Sequence, residues 1–266
     1  LTIKTNIVNI DRVSASGAVS FLSQTSTGPN DPYDSISSNN ITFTNLATSA
    51  AVVAINRLGG STTAVNSMCN NIISISGTNT GSVTGIAYSY GATTVANGNS
   101  ITINCASTTT IGLATPSGNV GSTTLRGNTF SLSSSSTAPT SIVAISGLTG
   151  GPYTISNNTF NALNYTGVIT GSPSASAIVI SAGTGNVVSN NIIANISAGA
   201  AGSTASPTVD GILVSGGTST TISKNKIYGI TTAATGTTTV VNGIRLSGGT
   251  TNTVSNNLIG ALTATA

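Results

Sequence analysis

The chain has 266 residues, and only eleven are charged: seven Lys or Arg and four Asp, with no Glu and no His. The seven cations are spread thinly along the chain, and only Lys224 and Lys226 are close in sequence, which argues against the extended basic patch that binds nucleic acid. No apolar run is long enough to predict a membrane-spanning helix. Ser, Thr, Asn, Gly and Ala dominate, and such a composition is typical of disorder unless the apolar residues are periodic.

The apolar residues are periodic, because one short segment recurs along the whole chain. It is first seen as IKTNIVNI at 3–10 and last as VSNNLIGAL at 254–262. Its anchoring asparagines lie 28 to 34 residues apart, with a mean of about 31, and self-similarity at such a period predicts a solenoid. The nine anchors, which we expect to stack as a ladder, are Asn6, Asn39, Asn71, Asn99, Asn128, Asn158, Asn191, Asn225 and Asn257.

Aliphatic and aromatic residues at fixed distances from each anchor predict the interior. Burial of each such side chain stabilises the fold by roughly 1.5–3 kcal/mol, and one coil cannot bury its apolar face alone. The residues three positions before an anchor are Ile36, Met68, Leu125, Ile155, Val188, Ile222 and Val254, and those two positions after include Phe130, Phe160, Ile193, Ile227 and Ile259.

The segments favour strands over helices, because Thr, Val, Ile and Ser alternate with period two. A further apolar stretch opens fourteen residues before an anchor, at Gly85, Ala177, Gly211 and Gly243, each followed by Ile. Leucine-rich repeats stay open as an alternative, although their turns are usually 20–29 residues long and rich in Leu. The sequence therefore predicts two or three short strands in each coil.

Each anchoring Asn is expected at a bend between two strands. Asn tolerates the left-handed backbone conformation, and stacked Asn amides can hydrogen-bond along a column. The alternative is an array that binds ions or glycans. A neutral amide is a poor ion ligand, so we favour the structural role.

The residues that flank each buried aliphatic are hydroxyl-bearing in several coils and predict an outward Thr-x-Ser face. A regular hydroxyl array raises ice binding as one alternative function, whereas Thr and Ser are also ordinary residues of exposed strands. The array is interrupted by Val187, Arg126 and Cys69. Its pairs are Thr154 with Ser156, Thr221 with Ser223 and Thr253 with Ser255.

With repeats such as TISNNTFNAL and TVSNNLIGAL, the chain resembles the right-handed parallel β-helices of the pectin-lyase-like class. It is more similar to repeat regions of very large exported bacterial surface proteins than to the enzymes of that class. The resemblance covers essentially the whole chain. It implies an all-β, right-handed parallel β-helix of about nine coils of roughly 31 residues, with residues 1–266 as a single domain of a longer protein or fibre.

The acids do not predict an active site. Enzymes of the resembled class use clustered Asp residues with calcium and a basic residue, or paired carboxylates about 5–10 Å apart. Only Asp31 and Asp34 are close in sequence, and we interpret GPNDPYDS as a Pro-rich turn. Asp210 is interpreted as a turn residue before a strand, and Asp11 with Arg12 is a weak pair. We therefore predict no enzymatic activity, no cofactor and no metal site.

Neither the glycosylation signals nor the two cysteines indicate a function. Cys69 and Cys105 lie at different distances from their anchors, so we expect free thiols rather than a disulfide. Lys224 and Lys226 are the peculiarity of their repeat, ISKNKIYGI, and we interpret them as surface variation. The weak glycosylation signals are three-residue matches at Asn40, Asn157, Asn164, Asn195 and Ser35.

The ends of the chain suggest a function. The sequence starts without Met and without a signal segment, which predicts a processed product or an excised fragment. No capping helix flanks the repeats, so we expect the end strands to pair with flanking regions of the same chain or with further copies.

The predicted function is a structural or adhesive extracellular segment of a bacterial surface protein or filament. Its expected partners are further copies or flanking domains, and surface glycans, with no nucleic acid and no membrane span. The alternatives are a carbohydrate-binding or carbohydrate-degrading β-helix and an ice-binding protein.

Overall fold

A computed structural model describes residues 1–11, 17–24, 33–59, 63–89, 91–115, 121–147 and 149–264. Over these residues the regular structure consists of 26 β-strands and no helix. All strand pairs are parallel, and they form three sheets, here named A, B and C. The chain visits the three sheets in turn, so each coil adds one strand to each sheet.

The strands are as follows. Sheet A contains β1 (Thr2–Lys4), β4 (Tyr33–Ser37), β7 (Val65–Cys69), β10 (Thr93–Asn97), β13 (Ser122–Arg126), β16 (Tyr153–Ser156), β19 (Thr184–Ser189), β22 (Ser219–Ser223) and β25 (Thr251–Ser255). Sheet B contains β2 (Ile7–Asp11), β5 (Asn40–Leu46), β8 (Ile72–Gly77), β11 (Ser100–Cys105), β14 (Thr129–Ser134), β17 (Thr159–Tyr165), β20 (Ile192–Ala198), β23 (Lys226–Thr232) and β26 (Leu258–Ala264). Sheet C contains β3 (Val19–Gln24), β6 (Val52–Arg57), β9 (Val83–Tyr88), β12 (Thr109–Thr115), β15 (Ser141–Gly147), β18 (Ser174–Ile180), β21 (Thr208–Val214) and β24 (Val240–Leu246).

The architecture is a parallel β-helix, which confirms the fold predicted from the repeat. The structure has about eight coils of roughly 32 residues, close to the expected nine coils of about 31. Three strands per coil distinguish it from a leucine-rich repeat, which has one strand per turn. We number the coils by their sheet A strand, so that β22, β23 and β24 form coil 8.

The core is a set of continuous apolar columns along the axis. The residues three positions before each anchor, such as Ile155, pair in register with their equivalents in the coils on either side. Phe130 and Phe160 stack with their ring centroids 5.2 Å apart. These inward residues are fully buried in the middle coils, whereas Val254 and Ile259 in coil 9 are 45% and 42% exposed.

The turn from sheet A to sheet B corrects one expectation. At all nine turns the left-handed residue is the one before the anchor, with φ between 55° and 65°, and not the anchor itself. This residue is exposed at every turn, whereas the anchoring Asn is buried at seven of the nine. The backbone therefore turns at an exposed position, and the next residue is free to direct its amide along the axis. The left-handed residues are Thr5, Ser38, Asn70, Gly98, Gly127, Asn157, Asn190, Lys224 and Asn256.

Sheet B carries a second left-handed position in its last four strands. Ala162, Asn195, Gly229 and Ala261 each lie four residues after an anchor and have φ between 51° and 68°. The register of neighbouring strands skips these residues, as at Ala194–Tyr228 followed by Ile196–Ile230. The result is a stacked bulge that runs along the last coils of the sheet.

Small residues inside sheet C lie where this sheet approaches sheet B. The Gly that was expected to open a strand lies within it, as Gly211 does in β21. A Cβ atom on Gly211 would lie 2.4 Å from the carbonyl oxygen of Gly243 and 2.8 Å from Cγ2 of Ile227. Gly is therefore required by close packing rather than by a turn.

We predict that Gly211→Val lowers the free energy of unfolding by at least about 3 kcal/mol, because the new side chain overlaps backbone that cannot move. The shift of the denaturation midpoint followed by circular dichroism measures this effect. Gly260→Ala is the matched control, since nothing lies within 4 Å of a Cβ atom at that position. A stability of Gly211→Val equal to that of the control would contradict the packing.

We predict that Lys224→Asn raises the free energy of unfolding by about 0.5–1 kcal/mol. Lys224 has φ of 59°, and Asn adopts this left-handed conformation at lower cost than Lys. The reciprocal change Asn190→Lys, at the equivalent turn one coil earlier, should lower stability by a similar amount. Chemical denaturation of the parent protein, Lys224→Asn and Asn190→Lys measures the difference. Equal denaturation midpoints would show that Lys adopts the left-handed conformation at no cost in these turns.

Candidate functional site

The anchoring asparagines form an unbroken hydrogen-bonded ladder. From Asn6 to Asn257, each Nδ2 donates to Oδ1 of the Asn in the next coil at 2.9–3.0 Å. The backbone N–H of each Asn donates to the same oxygen, at 2.9–3.1 Å. The ladder therefore connects all nine A-to-B turns.

Each interior amide of the ladder is fully used, as Asn71 shows. Its Nδ2 donates to Oδ1 of Asn99 and to the carbonyl oxygen of Ile36, both at 3.0 Å. Its Oδ1 accepts from the backbone and side chain of Asn39 at 3.1 and 2.9 Å. A side-chain amide has two donors and two acceptor positions. No capacity is left for an ion or a glycan.

Asp34 is a buried structural acid and not a turn residue as expected. It lies in β4 and faces inward, where Nε and Nη2 of Arg57 contact its Oδ2. Asp34 is 1% exposed and Arg57 is fully buried. Asp31, the acid expected to accompany it, lies outside the described residues. A carboxylate paired inside the solenoid cannot reach a substrate at the surface.

Asp210 is likewise in a strand, β21, and not in a turn before it. Arg245 binds it through two nitrogens, with Nε at 3.0 Å from Oδ1 and Nη2 at 2.7 Å from Oδ2. Asn242 donates to Oδ1 at 2.8 Å, and Asp210 is fully buried beneath these groups. This carboxylate is neutralised by a two-point ion pair on sheet C.

The remaining described acid is Asp11, at the exposed end of β2. It accepts from Oγ1 of Thr44 and Nδ2 of Asn45, each at 2.7 Å, while Arg12 lies outside the described residues. Asp34 and Asp210 are five coils apart, which is roughly 24 Å at the usual strand spacing. The described acids therefore do not form the paired carboxylates of glycoside hydrolysis.

Other features of reactive sites are also missing from the described part of the chain. Among its residues no three His, Cys, Asp or Glu side chains cluster as metal ligands would, and no surface pocket is present there. The described residues contain no helix long and apolar enough to cross a membrane.

The two cysteines are free and lie in different sheets. Cys69 is half-buried in β7 of sheet A, whereas Cys105 is buried at the end of β11 in sheet B. Burial raises the pKa of the Cys105 thiol to about 12. At neutral pH this side chain is an unreactive thiol that packs in the core.

Three of the five tyrosines in the described residues, Tyr88, Tyr153 and Tyr165, belong to the interior. Burial raises the pKa of Tyr88 well above its usual value, with Tyr153 close by, and Tyr165 is buried with its hydroxyl donating to the carbonyl oxygen of Ser174 at 2.9 Å. Tyr90 lies outside the described residues. The exposed tyrosines of the described chain are Tyr33 and Tyr228, at 51% and 36%.

The outward hydroxyl face of sheet A is real but discontinuous. Thr221 and Thr253 stack in register, as do Ser223 and Ser255. Val187 stands between Thr154 and Thr221 in the same column. The Thr column is therefore interrupted after two coils, whereas the Ser column runs through four coils from Ser156 to Ser255, so the paired Thr-x-Ser face is not continuous.

The weak glycosylation signals fall in different environments. Asn40, Asn157 and Asn195 are exposed, and Asn195 donates to Oδ1 of Asn161 at 2.7 Å. Asn164 is half-buried and accepts from Ser197 at 2.8 Å. Ser35 is 5% exposed, so its hydroxyl is not accessible to a glycosyltransferase in the folded chain.

One surface contact was missed in the sequence. Nζ of Lys226 lies over the ring of Tyr228, 5.0 Å from its centroid. The two residues are two positions apart on β23, and alternate residues of a strand share one face. The spacing was therefore visible in the sequence, although the exposure of Tyr228 was not.

No family model matches the chain, and comparison with the curated proteins and with the solved structures finds no match for it.

We predict that Asn128→Ala lowers the free energy of unfolding by about 3–5 kcal/mol. The change removes the acceptor of the backbone N–H and Nδ2 of Asn99, the side-chain donor to the carbonyl oxygen of Ala96 and one of the two donors to Oδ1 of Asn158. Each unsatisfied buried group costs about 1–3 kcal/mol. Chemical denaturation followed by circular dichroism measures the loss.

The matched control is Asn104→Ala in β11 of the preceding coil. Asn104 is exposed and its Oδ1 accepts from Ser133 at 2.9 Å, so its removal should cost less than about 1 kcal/mol. Similar losses of stability for Asn128→Ala and Asn104→Ala would contradict a larger contribution of the buried ladder than of an exposed Asn.

Proposed function

We propose that the chain is a structural or adhesive extracellular segment of a bacterial surface protein or filament. The observation that carries the proposal is the unbroken ladder from Asn6 to Asn257. The ladder makes every coil dependent on the next. The described residues contain neither a metal-binding cluster nor a pocket that would suggest a different role. A fold built in this way serves as a spacer or a display surface.

The dimensions support this role. Nine strands in a sheet, at the usual spacing between parallel strands, give a rod of roughly 40 Å. Contacts in such a solenoid are between neighbouring coils, so length can be added by repetition. The resemblance of the repeats to those of exported surface proteins supports the same location.

The chain has only seven Lys and Arg residues, after which trypsin-like proteases cleave, and this small number suits exposure outside the cell. Arg57 is fully buried, and Arg245 is bound to Asp210 within sheet C. Lys226 and Arg126 belong to strands β23 and β13, where the chain is held in an extended sheet that a protease cannot easily lift out. The absence of enzymatic activity is part of the proposal. The ion pairs of Asp34 with Arg57 and of Asp210 with Arg245 support it.

Self-association or contact with flanking segments is the proposed assembly mode. Further coils, from the same polypeptide or another copy, would cover the inward residues Val254, Ile259 and Leu262, which are 45%, 42% and 40% exposed. Parallel strand edges favour such pairing.

Immunogold electron microscopy of intact cells of the source organism tests the location. An antibody raised against the folded chain should label the outside of unpermeabilised cells, and external protease should release or degrade the antigen. Labelling that appears only after permeabilisation would refute the proposal. A cytoplasmic marker serves as the control for cell integrity.

A carbohydrate-binding role is the second candidate, and one observation favours it. Lys226 and Tyr228 form an exposed cation–aromatic pair on sheet B. Sugar recognition by exposed aromatic and polar side chains is compatible with an adhesive segment that has no active site.

A further inference from the structure

Coil 8 differs from the other coils at three neighbouring surface positions. The left-handed turn residue is Lys224, where the other turns have Thr, Ser, Asn or Gly. The next outward residue is Lys226, which stacks between Ile192 and Leu258. The third is Tyr228, where the rest of the column is formed by Asn9, Thr42, Ser74, Thr102, Ser131, Asn161, Ala194 and Gly260.

The three exposed residues lie within five positions of the chain and are here called the coil 8 patch. Lys224 and Lys226 are exposed, and Nζ of Lys226 lies 5.0 Å from the centre of the Tyr228 ring. Tyr228 is flanked in register by Ala194 and Gly260. Neither neighbour has a side chain larger than a methyl group, and Tyr228 is 36% exposed.

The positive charge of the patch is not balanced nearby. On sheet B the described acid is Asp11, seven coils away, which is roughly 34 Å at the usual strand spacing. Asp210 lies on sheet C and is covered by Arg245. A ligand that carries negative charge would therefore meet two lysines without repulsion from a neighbouring carboxylate.

Neutral hydrogen-bonding groups surround the patch. Asn161 and Asn195 are exposed on the same sheet in the two preceding coils and are joined by a 2.7 Å hydrogen bond. Ser197 and Asn164 form a second such pair at 2.8 Å. Amides and hydroxyls of this kind can both donate hydrogen bonds to sugar hydroxyls and accept hydrogen bonds from them.

We propose that the coil 8 patch binds an anionic glycan. Lys224 and Lys226 would pair with its sulfate or carboxylate groups, since ammonium groups act as mobile point charges. The Tyr228 ring would lie against the apolar face of one sugar ring. This inference rests on the proposed adhesive role and names its partner class. Nucleic acid is disfavoured because two cations neutralise too few phosphates.

The equivalent residues of other coils indicate which substitutions the fold tolerates. Lys226→Thr and Tyr228→Ser introduce residue types found at the same positions in other coils, at Thr159 and Ser131. Arg126→Ser is the matched charge control, because Arg126 is exposed on sheet A and its stacked neighbour is Ser156. All three should keep the circular dichroism spectrum and denaturation midpoint of the parent protein.

Binding is measured by isothermal titration calorimetry with heparin fragments as sulfated probe, alginate oligosaccharides as carboxylated probe and dextran as neutral probe. We expect binding to one or both anionic probes and none to dextran. Lys226→Thr and Tyr228→Ser should each weaken it by at least about fivefold, with Arg126→Ser unchanged.

Several results would overturn the proposal. If Arg126→Ser weakened binding as much as the patch variants, the loss of affinity would be an effect of net charge and not of the coil 8 patch. If neither heparin nor alginate bound, the patch would not be a site for anionic glycans. Tighter binding to polyglutamate or to an oligothymidylate would assign the patch to another class of partner. These titrations use purified protein, so their failure is distinguishable from failure of the surface labelling on cells.

Discussion

The hydrogen bond between successive Asn side chains is the constraint on which the other features depend. A buried amide needs partners at both ends of its dipole, and in the A-to-B turn the Asn side chains and the backbone of the neighbouring coils supply them. The link stays at 2.9–3.0 Å along the chain although the anchors are 28 to 34 residues apart. Differences in coil length are therefore taken up away from this turn, and the columns of the core remain in register.

The turn divides two tasks between adjacent residues. The exposed left-handed residue bends the backbone, and the Asn after it makes the hydrogen bonds. Only the second task needs one residue type, which is why Asn70, Gly98 and Lys224 all occupy the first position while the second is always Asn. The surface of the turn can thus change without disturbing the ladder, at a cost of about 1 kcal/mol where the residue is unsuited to φ > 0.

The repeat made most of the fold predictable, because a period in the sequence becomes a column in space. Ile155 and Asn128 were identified from spacing alone. The left-handed position was misplaced by one residue, since Asn is common at both positions of the turn. Asp34 and Asp210 were misread because Pro and Gly neighbours predict turns, whereas their partners Arg57 and Arg245 are 23 and 35 residues away. Contacts between coils are invisible to any local pattern.

The same columns show how a binding site can arise on a scaffold whose described residues form no pocket. Each outward position is occupied once per coil by a residue that the core does not specify, so a single coil can depart from the rest at little cost to the fold. Coil 8 departs at Lys224, Lys226 and Tyr228 together, and one of these residues adopts a backbone conformation that disfavours it. The function of this chain is therefore to be sought where a coil differs from its neighbours, not in the ladder they share.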